Sequence, residues 1–164
     1  MNFEQAYKAI QDFIQCHQYL FFGVSVEFAF GTDRPSIGDW SNSENRGMIV
    51  KDDGFDIKRG IYFYAMPEGE IVYIGKASKS NLHDRVWHHL KTAKEELAPN
   101  KKIFPNHRFV NEESKYADAF TNGQVRLGIV TVSDRVLVSL LEVYLQTLHS
   151  KIHGNLPVLN KQIG

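Results

Sequence analysis

Two phenols occur in this sequence at positions where they could act on the same substrate. Tyr62 and Tyr73 lie in two runs rich in β-branched and aromatic residues, separated by Pro67-Glu68-Gly69-Glu70. The separating residues are typical of a turn, because proline fixes φ and glycine accepts positive φ. The sequence therefore predicts a β-hairpin over 60–75, in which Tyr62 and Tyr64 share a face and two phenols can meet across the strands. The alternative is that these tyrosines are ordinary strand residues, since tyrosine is common in strands.

An arginine and a histidine follow the predicted hairpin one helical turn apart. Asn81 and Asp84 have the spacing of a capping box, and apolar residues then recur at helical spacing to about Leu97. Arg85 and His89 lie on the flank of that apolar stripe, so both can lean toward the hairpin tyrosines. The alternative is an ordinary exposed pair.

A single carboxylate, Glu142, lies within an apolar run that follows Asp134. Asp134 is placed to begin a helix, whose apolar residues recur at 136, 137, 140, 141, 144, 145 and 148. A buried carboxylate costs several kcal/mol unless it is paired or bound to a metal ion, so a buried Glu142 requires a partner. Periodicity leaves open the alternative that Glu142 lies on the exposed side of the helix.

These residues resemble the motifs of the GIY-YIG nuclease family. Its two name-giving tripeptides are present as Gly60-Ile61-Tyr62 and Tyr73-Ile74-Gly75, and Lys76-Ala77, Asn81-Leu82 and Arg85-Val86 follow in the family's order. The motifs are most similar to those of the nuclease domain of the bacterial excision-repair incision enzyme, with two extra residues before Asn81. Glu142 and Asn160 complete the pattern, which covers residues 58–164 and not the first 57.

The resemblance implies a fold, a reaction and a set of catalytic residues. The fold is α+β, a small three-stranded antiparallel sheet flanked by helices, whose third strand is Val125–Val132. The reaction is the metal-dependent hydrolysis of phosphodiester bonds in DNA, with RNA not excluded. The implied catalytic residues are Tyr62, Tyr73, Lys76, Arg85, His89, Glu142 and Asn160.

The resemblance also implies which groups neutralise the negative charge of the phosphate. Glu142 would hold one divalent cation, Mg²⁺ or Mn²⁺, because a single carboxylate with waters suits a hard, hydrated ion. Arg85 would place its planar fork on the phosphate oxygens. Asn160 would orient the groups around the metal ion or the phosphate.

Water activation has two candidate phenols. Tyr62 would orient and deprotonate the attacking water, with Lys76 or His89 lowering its pKa or accepting the proton. Tyr73 is the competing candidate, and the sequence does not separate the two.

Charge is distributed unevenly although the net charge is zero. Residues 76–108 are basic and residues 1–59 are mildly acidic, which favours a nucleic-acid contact just after the hairpin. A run of charge is more often a solvated surface. The predicted nucleic-acid-binding side chains are Lys79, His88, Lys91, Lys101, Lys102 and Arg108.

Residues 1–57 form an extension outside the resemblance. Their apolar spacing predicts a helix over 3–19 and a strand that buries Phe22, Val24, Val26, Phe28 and Phe30. Because each element has one apolar face and the segment is acidic, we expect it to pack on the nuclease domain, 58–164, rather than to recognise DNA. A protein partner or self-association through the extension is a further expectation.

The cysteine count and the hydrophobic stretches of the sequence predict the cellular compartment. A single cysteine, Cys16, excludes an internal disulfide and a cysteine-cluster metal site, and we expect it in the core of a protein of a reducing compartment. No stretch resembles a signal peptide or reaches membrane-spanning length, so we expect a cytoplasmic protein without membrane contacts. A short helix is predicted over Glu112–Phe120.

A rival interpretation is a catalytically inactive module for binding nucleic acid or protein on the same fold, since fold does not guarantee chemistry. The presence of every implied catalytic residue argues against it. The substrate structure, the tyrosine that acts as base and the biological role are not predicted by the sequence.

Overall fold

The computed structural model describes residues 1–29, 36–37, 55, 57–89, 94–95, 102–103 and 114–164. The helices of this part are α1 (Phe3–Cys16), α2 (Leu82–His89), α3 (Ser114–Thr121) and α4 (Arg135–His153), with a 3₁₀ turn at Gln18–Leu20. The strands are β1 (Val26–Phe28), β2 (Gly60–Ala65), β3 (Ile71–Ala77), β4 (Lys94–Glu95), β5 (Lys102–Ile103) and β6 (Arg126–Val132).

The main sheet is antiparallel, with the strand order β1-β6-β2-β3. This confirms the α+β class and corrects the expected three strands to four. The additional strand comes from the N-terminal segment, where Val26 pairs with Val132 and Phe28 with Val130. Pairing with β1 satisfies backbone groups that β6 would otherwise present as a bare edge.

The predicted hairpin is β2 and β3. Tyr62 pairs with Gly75 and Tyr64 with Tyr73, so the phenols lie on one face as alternation requires. The turn closes where the Gly69 N–H donates to the Met66 carbonyl oxygen at 2.8 Å, with Gly69 at φ +97°. Every residue of β2 is buried, because the sheet is covered on both faces.

Helices α1 and α4 cover one face of the sheet. Asn2 caps α1 through a capping box with Gln5, and the helix buries Phe3, Tyr7 and Ile10 among others. The ring of Phe3 fills space above Gly128 of β6, where any Cβ would clash with it. The N-terminal residues therefore share a hydrophobic core with β2, β6 and α4.

Three expectations about the N-terminal segment are wrong in detail. The helix ends at Cys16 rather than at 19, and Cys16 is exposed rather than in the core. Phe22 is 93% exposed and precedes the strand, which covers only Val26–Phe28. The chain turns at Gly23, with φ +74°, and this turn interrupts the extended run that alternation predicted. Phe30 lies outside the described residues.

Helices α2 and α3 pack on the opposite face of the hairpin. Asn81 begins α2 as predicted, since its Oδ1 accepts from the Asp84 N–H at 2.7 Å. The predicted extension of this helix to Leu97 is wrong, because Lys94–Glu95 pairs as a strand with Lys102–Ile103. Helix α3 ends at Thr121, one residue beyond the predicted end at Phe120, and Gly123 follows it with φ +68°.

Helix α4 begins at the predicted cap. The Asp134 carboxylate accepts from the backbone N–H groups of Val136 and Leu137 at 2.7 and 3.0 Å. The buried face of α4 includes Glu142. It does not include every apolar residue that the spacing predicted for this helix, because Val136 and Leu140 are exposed. None of the helices in the described ranges has the length and apolarity needed to cross a membrane.

Candidate active site

Three tyrosines of the hairpin form one aromatic cluster. The ring centroids of Tyr62 and Tyr73 lie 5.9 Å apart, and those of Tyr64 and Tyr73 lie 5.8 Å apart in a stacked arrangement. The Tyr64 hydroxyl donates to the Val86 carbonyl oxygen at 2.9 Å and so ties α2 to the hairpin. This assigns Tyr64 a structural role and confirms that the phenols of Tyr62 and Tyr73 meet across the strands.

The glycines of the two tripeptides are required for close approach. A Cβ on Gly75 would lie 2.6 Å from the Tyr62 hydroxyl oxygen and 2.6 Å from Cε1 of Tyr73. A Cβ on Gly60 would clash with the Val130 carbonyl oxygen of the neighbouring strand β6. Gly75 therefore leaves the space in which the Tyr62 hydroxyl lies, and Gly60 allows β2 to pair with β6.

Burial keeps the phenol groups of Tyr62 and Tyr64 protonated. It raises the pKa of Tyr62 well above the ordinary value of 10.0, and the neighbouring Tyr73 and Tyr64 raise it further. The Arg85 guanidinium acts in the opposite direction on the pKa of both Tyr62 and Tyr64. Desolvation is therefore the largest effect on the pKa of Tyr62, and the expected contribution of Lys76 or His89 stays a prediction.

Arg85 lies on α2 beside the end of β3. Its Nε donates to the Lys76 carbonyl oxygen at 3.4 Å, and its side chain is partly buried. The position explains why its charge acts on the pKa of the tyrosines, as the helical spacing predicted that it would lean toward them. Arg85 is therefore a cation on the tyrosine face of the hairpin.

Glu142 has the partner that its burial requires. Its Oε2 lies 2.6 Å from the Lys76 Nζ, and the carboxylate side chain is almost wholly removed from water. The alternative that Glu142 faces solvent is thus excluded. Lys76 pairs with Ile61 and Tyr62 with Gly75, so alternation places Lys76 and the tyrosines on opposite faces of the sheet.

Both faces meet at β3, an edge strand of the sheet. A pocket of about 240 Å³ lies there, which we call the edge pocket and define by Tyr73, Glu142, Gln146 and Asn160. Tyr73 from one face and Glu142 from the other both contribute to its lining. An edge strand is needed for this arrangement, because a further paired strand would separate the two side chains.

Asn160 binds the edge strand itself. Its Oδ1 accepts from the Ile74 N–H and its Nδ2 donates to the Ile74 carbonyl oxygen, both at 2.9 Å. The amide thus imitates the backbone of an adjacent strand and holds the C-terminal tail on β3. Its expected role in orienting a metal ion or phosphate stays a prediction.

Gln146 is a site residue that the sequence interpretation missed. Its Nε2 donates to the same Ile74 carbonyl oxygen at 3.1 Å, and its Oε1 accepts from the Gly164 N–H at 2.8 Å. The available signal was its spacing, since it follows Glu142 by one helical turn and must share its face.

The edge pocket suits a hydrated divalent cation. A water molecule takes about 30 Å³ in the liquid, so the pocket has room for an ion with several waters. Within the described ranges, no cluster of three or more histidine, cysteine or acidic side chains is placed to hold a metal ion. One buried carboxylate with water ligands fits Mg²⁺ or Mn²⁺.

The remaining predicted residues are placed only in part. The backbones of His88 and His89 lie in α2 and that of Lys102 in β5, but their side chains lie outside the description. Lys91, Lys101 and Arg108 also lie outside the described residues. Lys79 is exposed just after β3 and lines a different cleft. Comparisons with family models, with curated proteins and with solved structures gave no match.

Proposed function

We propose that this protein is a metal-dependent endonuclease of the GIY-YIG type that hydrolyses phosphodiester bonds in DNA. One observation carries the proposal: a buried carboxylate, Glu142, and a phenol of the tyrosine cluster, Tyr73, line the same pocket at the edge of β3. A carboxylate and a phenol that line one pocket are suited to holding a cation and a water molecule together. The single cysteine and its exposure agree with action in the cytoplasm.

Hydrolysis requires a positioned water, stabilisation of the pentavalent phosphate and relief of charge on the leaving 3′ oxygen. Bound at Glu142, Mg²⁺ or Mn²⁺ would supply neutralisation of the scissile phosphate and the leaving oxygen. Arg85 would take the charge that develops on the phosphate oxygens. Because its Nε is directed at the Lys76 carbonyl oxygen, its two terminal nitrogens are the donors for phosphate.

Tyr62 and Tyr73 have different roles in positioning the attacking water. Tyr73 lines the edge pocket, so we assign the direct contact with the attacking water to it. Tyr62 is wholly buried behind Tyr73 and keeps its proton, so it orients the Tyr73 hydroxyl by hydrogen bonding. Because Tyr62 keeps its proton, it orients water rather than deprotonating it, and His89 is the candidate acceptor of the proton, since Lys76 forms an ion pair with Glu142.

A second function is favoured by a different observation. Glu142 is already paired with Lys76, and both ends of the Asn160 amide are used by Ile74. Groups engaged in this way could be purely structural. The alternative is therefore a catalytically inactive module that binds nucleic acid or protein.

A cleavage assay separates the two functions. The full chain is incubated with duplex, nicked, branched and single-stranded DNA and with RNA, with Mg²⁺, with Mn²⁺ or with EDTA. We expect cleavage that depends on the cation and that Glu142→Gln abolishes. Glu68→Gln, an exposed carboxylate of the hairpin turn, is the matched control. Cleavage that survives EDTA would contradict the assignment of a metal ion to Glu142, and no cleavage of any substrate would favour the inactive module.

A further inference from the structure

A second cavity lies at the end of the sheet where β2 begins and β3 ends. It has a volume of about 590 Å³, within the range of small-ligand clefts. Its lining comes from the residues around β1, the residues that lead into β2, the connection from β3 to α2 and the end of β6. We call it the strand-end cleft and define it by Lys58, Arg59, Lys79, Ser25 and Ser133.

The walls of the strand-end cleft are tied together by backbone hydrogen bonds. The Leu82 N–H donates to the Lys58 carbonyl oxygen at 2.9 Å, and the Val132 N–H donates to the Arg59 carbonyl oxygen at 3.1 Å. On the N-terminal side, the Ser25 N–H donates to the Ser133 hydroxyl oxygen at 3.0 Å. The cleft is therefore preformed, and a ligand would not have to order it.

Two cations dominate the rim of the cleft. Arg59 and Lys79 are exposed, and neither forms an ion pair within the described part of the chain. Lys58, by contrast, is paired with Glu27 at 2.6 Å, which balances that carboxylate. Asp84 adds a carboxylate to the lining, and serine hydroxyls add neutral donors. Cations together with hydroxyl donors are the groups that contact phosphates of a nucleic-acid backbone.

The cleft and the edge pocket are connected by the hairpin. Arg59 precedes Tyr62 by three residues, and Lys79 follows Lys76 by three, on strand ends that pair through Gly60 and Ala77. Three residues of strand span about 10 Å, at about 3.3 Å each. The strand-end cleft therefore lies about 10 Å along the hairpin from Tyr62, which is short enough for one nucleic-acid strand to contact both sites.

We propose that the strand-end cleft is a backbone subsite for the cleaved strand, in which Arg59 and Lys79 contact phosphates beside the cleaved bond. This inference rests on the proposed nuclease function and adds the part of the surface along which the substrate lies. It also assigns residues around β1 to one wall of the substrate path, although the N-terminal segment as a whole is acidic.

Binding measured without cleavage tests the subsite. The full chain in EDTA is titrated with labelled duplex DNA, single-stranded DNA and single-stranded RNA over a range of salt concentrations, with fluorescence anisotropy as the readout. The double variant Arg59→Ala/Lys79→Ala should bind about tenfold more weakly at about 0.1 M salt. The dependence of log K on log salt should become shallower by about 1.8 on duplex and about 1.4 on single strands, since two phosphate contacts are lost.

Two control variants make the result specific. Lys8→Ala/Lys151→Ala removes two exposed cations of α1 and α4 and should leave affinity and salt dependence unchanged. Arg59→Lys/Lys79→Arg keeps both charges and should retain binding. All of these positions are exposed, so unchanged thermal melting is expected for each variant. On a cleavable substrate, the alanine pair should raise KM and leave kcat nearly unchanged, because a remote phosphate contact is made equally in ground and transition states.

The possible outcomes distinguish the proposed phosphate subsite from the proposed nuclease function. Binding that is insensitive to the alanine pair overturns the subsite and leaves the proposed nuclease standing. A chain that binds none of the three nucleic acids overturns both. An equal loss of affinity in the Lys8→Ala/Lys151→Ala control overturns the subsite in favour of general electrostatic attraction.

Discussion

Two lysine–glutamate pairs of this protein have the same length and opposite surroundings. Lys58 and Glu27 lie 2.6 Å apart, with 41% and 49% of their side chains exposed. Lys76 and Glu142 are also 2.6 Å apart, but only 26% and 7% of their side chains are exposed. Water can replace either partner of the first pair, so it contributes about 0–1 kcal/mol. Breaking a buried pair costs about 3–5 kcal/mol, because a charge is left without solvation.

Distance alone therefore does not distinguish the two ion pairs, whereas burial does. The carboxylate of Glu142 needs a positive charge beside it, whichever group supplies that charge. In the described structure the charge is the Lys76 ammonium group, and in the proposed enzyme a divalent cation would share the position. The exposed pair carries no such requirement, and its role is to balance charge beside the strand-end cleft.

The largest expected effect concerns a third cation, Arg85, which lies on the tyrosine side of Lys76. Arg85→Ala should reduce kcat by orders of magnitude while DNA affinity falls much less, since its fork acts on charge that develops in the transition state. Single-turnover cleavage and equilibrium binding give the two numbers. Arg135→Ala, an exposed arginine in the first turn of α4, is the control. Equal losses of rate and affinity would make Arg85 a contact that only positions the substrate.

The free energy of unfolding of the metal-free protein should differ between variants that lose the buried pair and variants that lose the exposed pair. Lys76→Met should lower the free energy of unfolding by about 3 kcal/mol, because it leaves a buried carboxylate uncompensated. Lys58→Met should lower it by about 1 kcal/mol or less. Urea denaturation of both variants in EDTA at neutral pH is the measurement. Equal losses in the two variants would show that burial does not distinguish the pairs.

The affinity for Mn²⁺ provides a second comparison of the two ion pairs. If Lys76 and a divalent cation compete for the same carboxylate, Lys76→Gln should tighten Mn²⁺ binding by about tenfold, the effect of about 1.4 kcal/mol less competition. Lys58→Gln should leave it unchanged, and Glu142→Gln should remove it. Calorimetric titration of the full chain with Mn²⁺ tests this without any cleavage. An unchanged affinity in Lys76→Gln would mean that the cation binds without displacing the lysine.

The smallest expected effect lies in the alkaline pH range. Below pH of about 10 the phenols of Tyr62 and Tyr64 are protonated in both the folded and the unfolded chain. Above it the unfolded chain loses protons that the folded chain keeps, since burial raises the pKa of both residues. Stability should therefore fall with rising pH by about 1.4 kcal/mol per pH unit for each phenol.

Substitution of the buried phenol identifies its share of this pH dependence. Tyr62→Phe should make the alkaline loss of stability shallower, whereas Tyr19→Phe, at an exposed position, should not. Denaturation series between about pH 8 and 11 provide the slopes. The same slope in Tyr62→Phe and in the unmodified chain would contradict the assignment of the effect to Tyr62.

Local features of the molecule were predictable from the sequence. Alternation and the Pro67–Glu70 turn predicted the hairpin, and with it the meeting of Tyr62 and Tyr73. Asn81 and Asp134 predicted the beginnings of α2 and α4. Each of these depends on residues a few positions apart, whose backbone geometry and hydrogen bonding are set by their own side chains. One local prediction failed at a turn: the strand predicted to begin at Phe22 is interrupted at Gly23, before β1.

The site itself was decided by tertiary structure. Periodicity left the face of Glu142 open, because α4 carries apolar residues such as Val136 and Leu140 on its exposed side as well. Only the packing of α4 on the sheet places Glu142 next to Lys76, and only the tail running along β3 places Asn160 on Ile74. Such contacts join residues far apart in the chain. Their geometry depends on which apolar surfaces bury one another, and no local pattern records that choice.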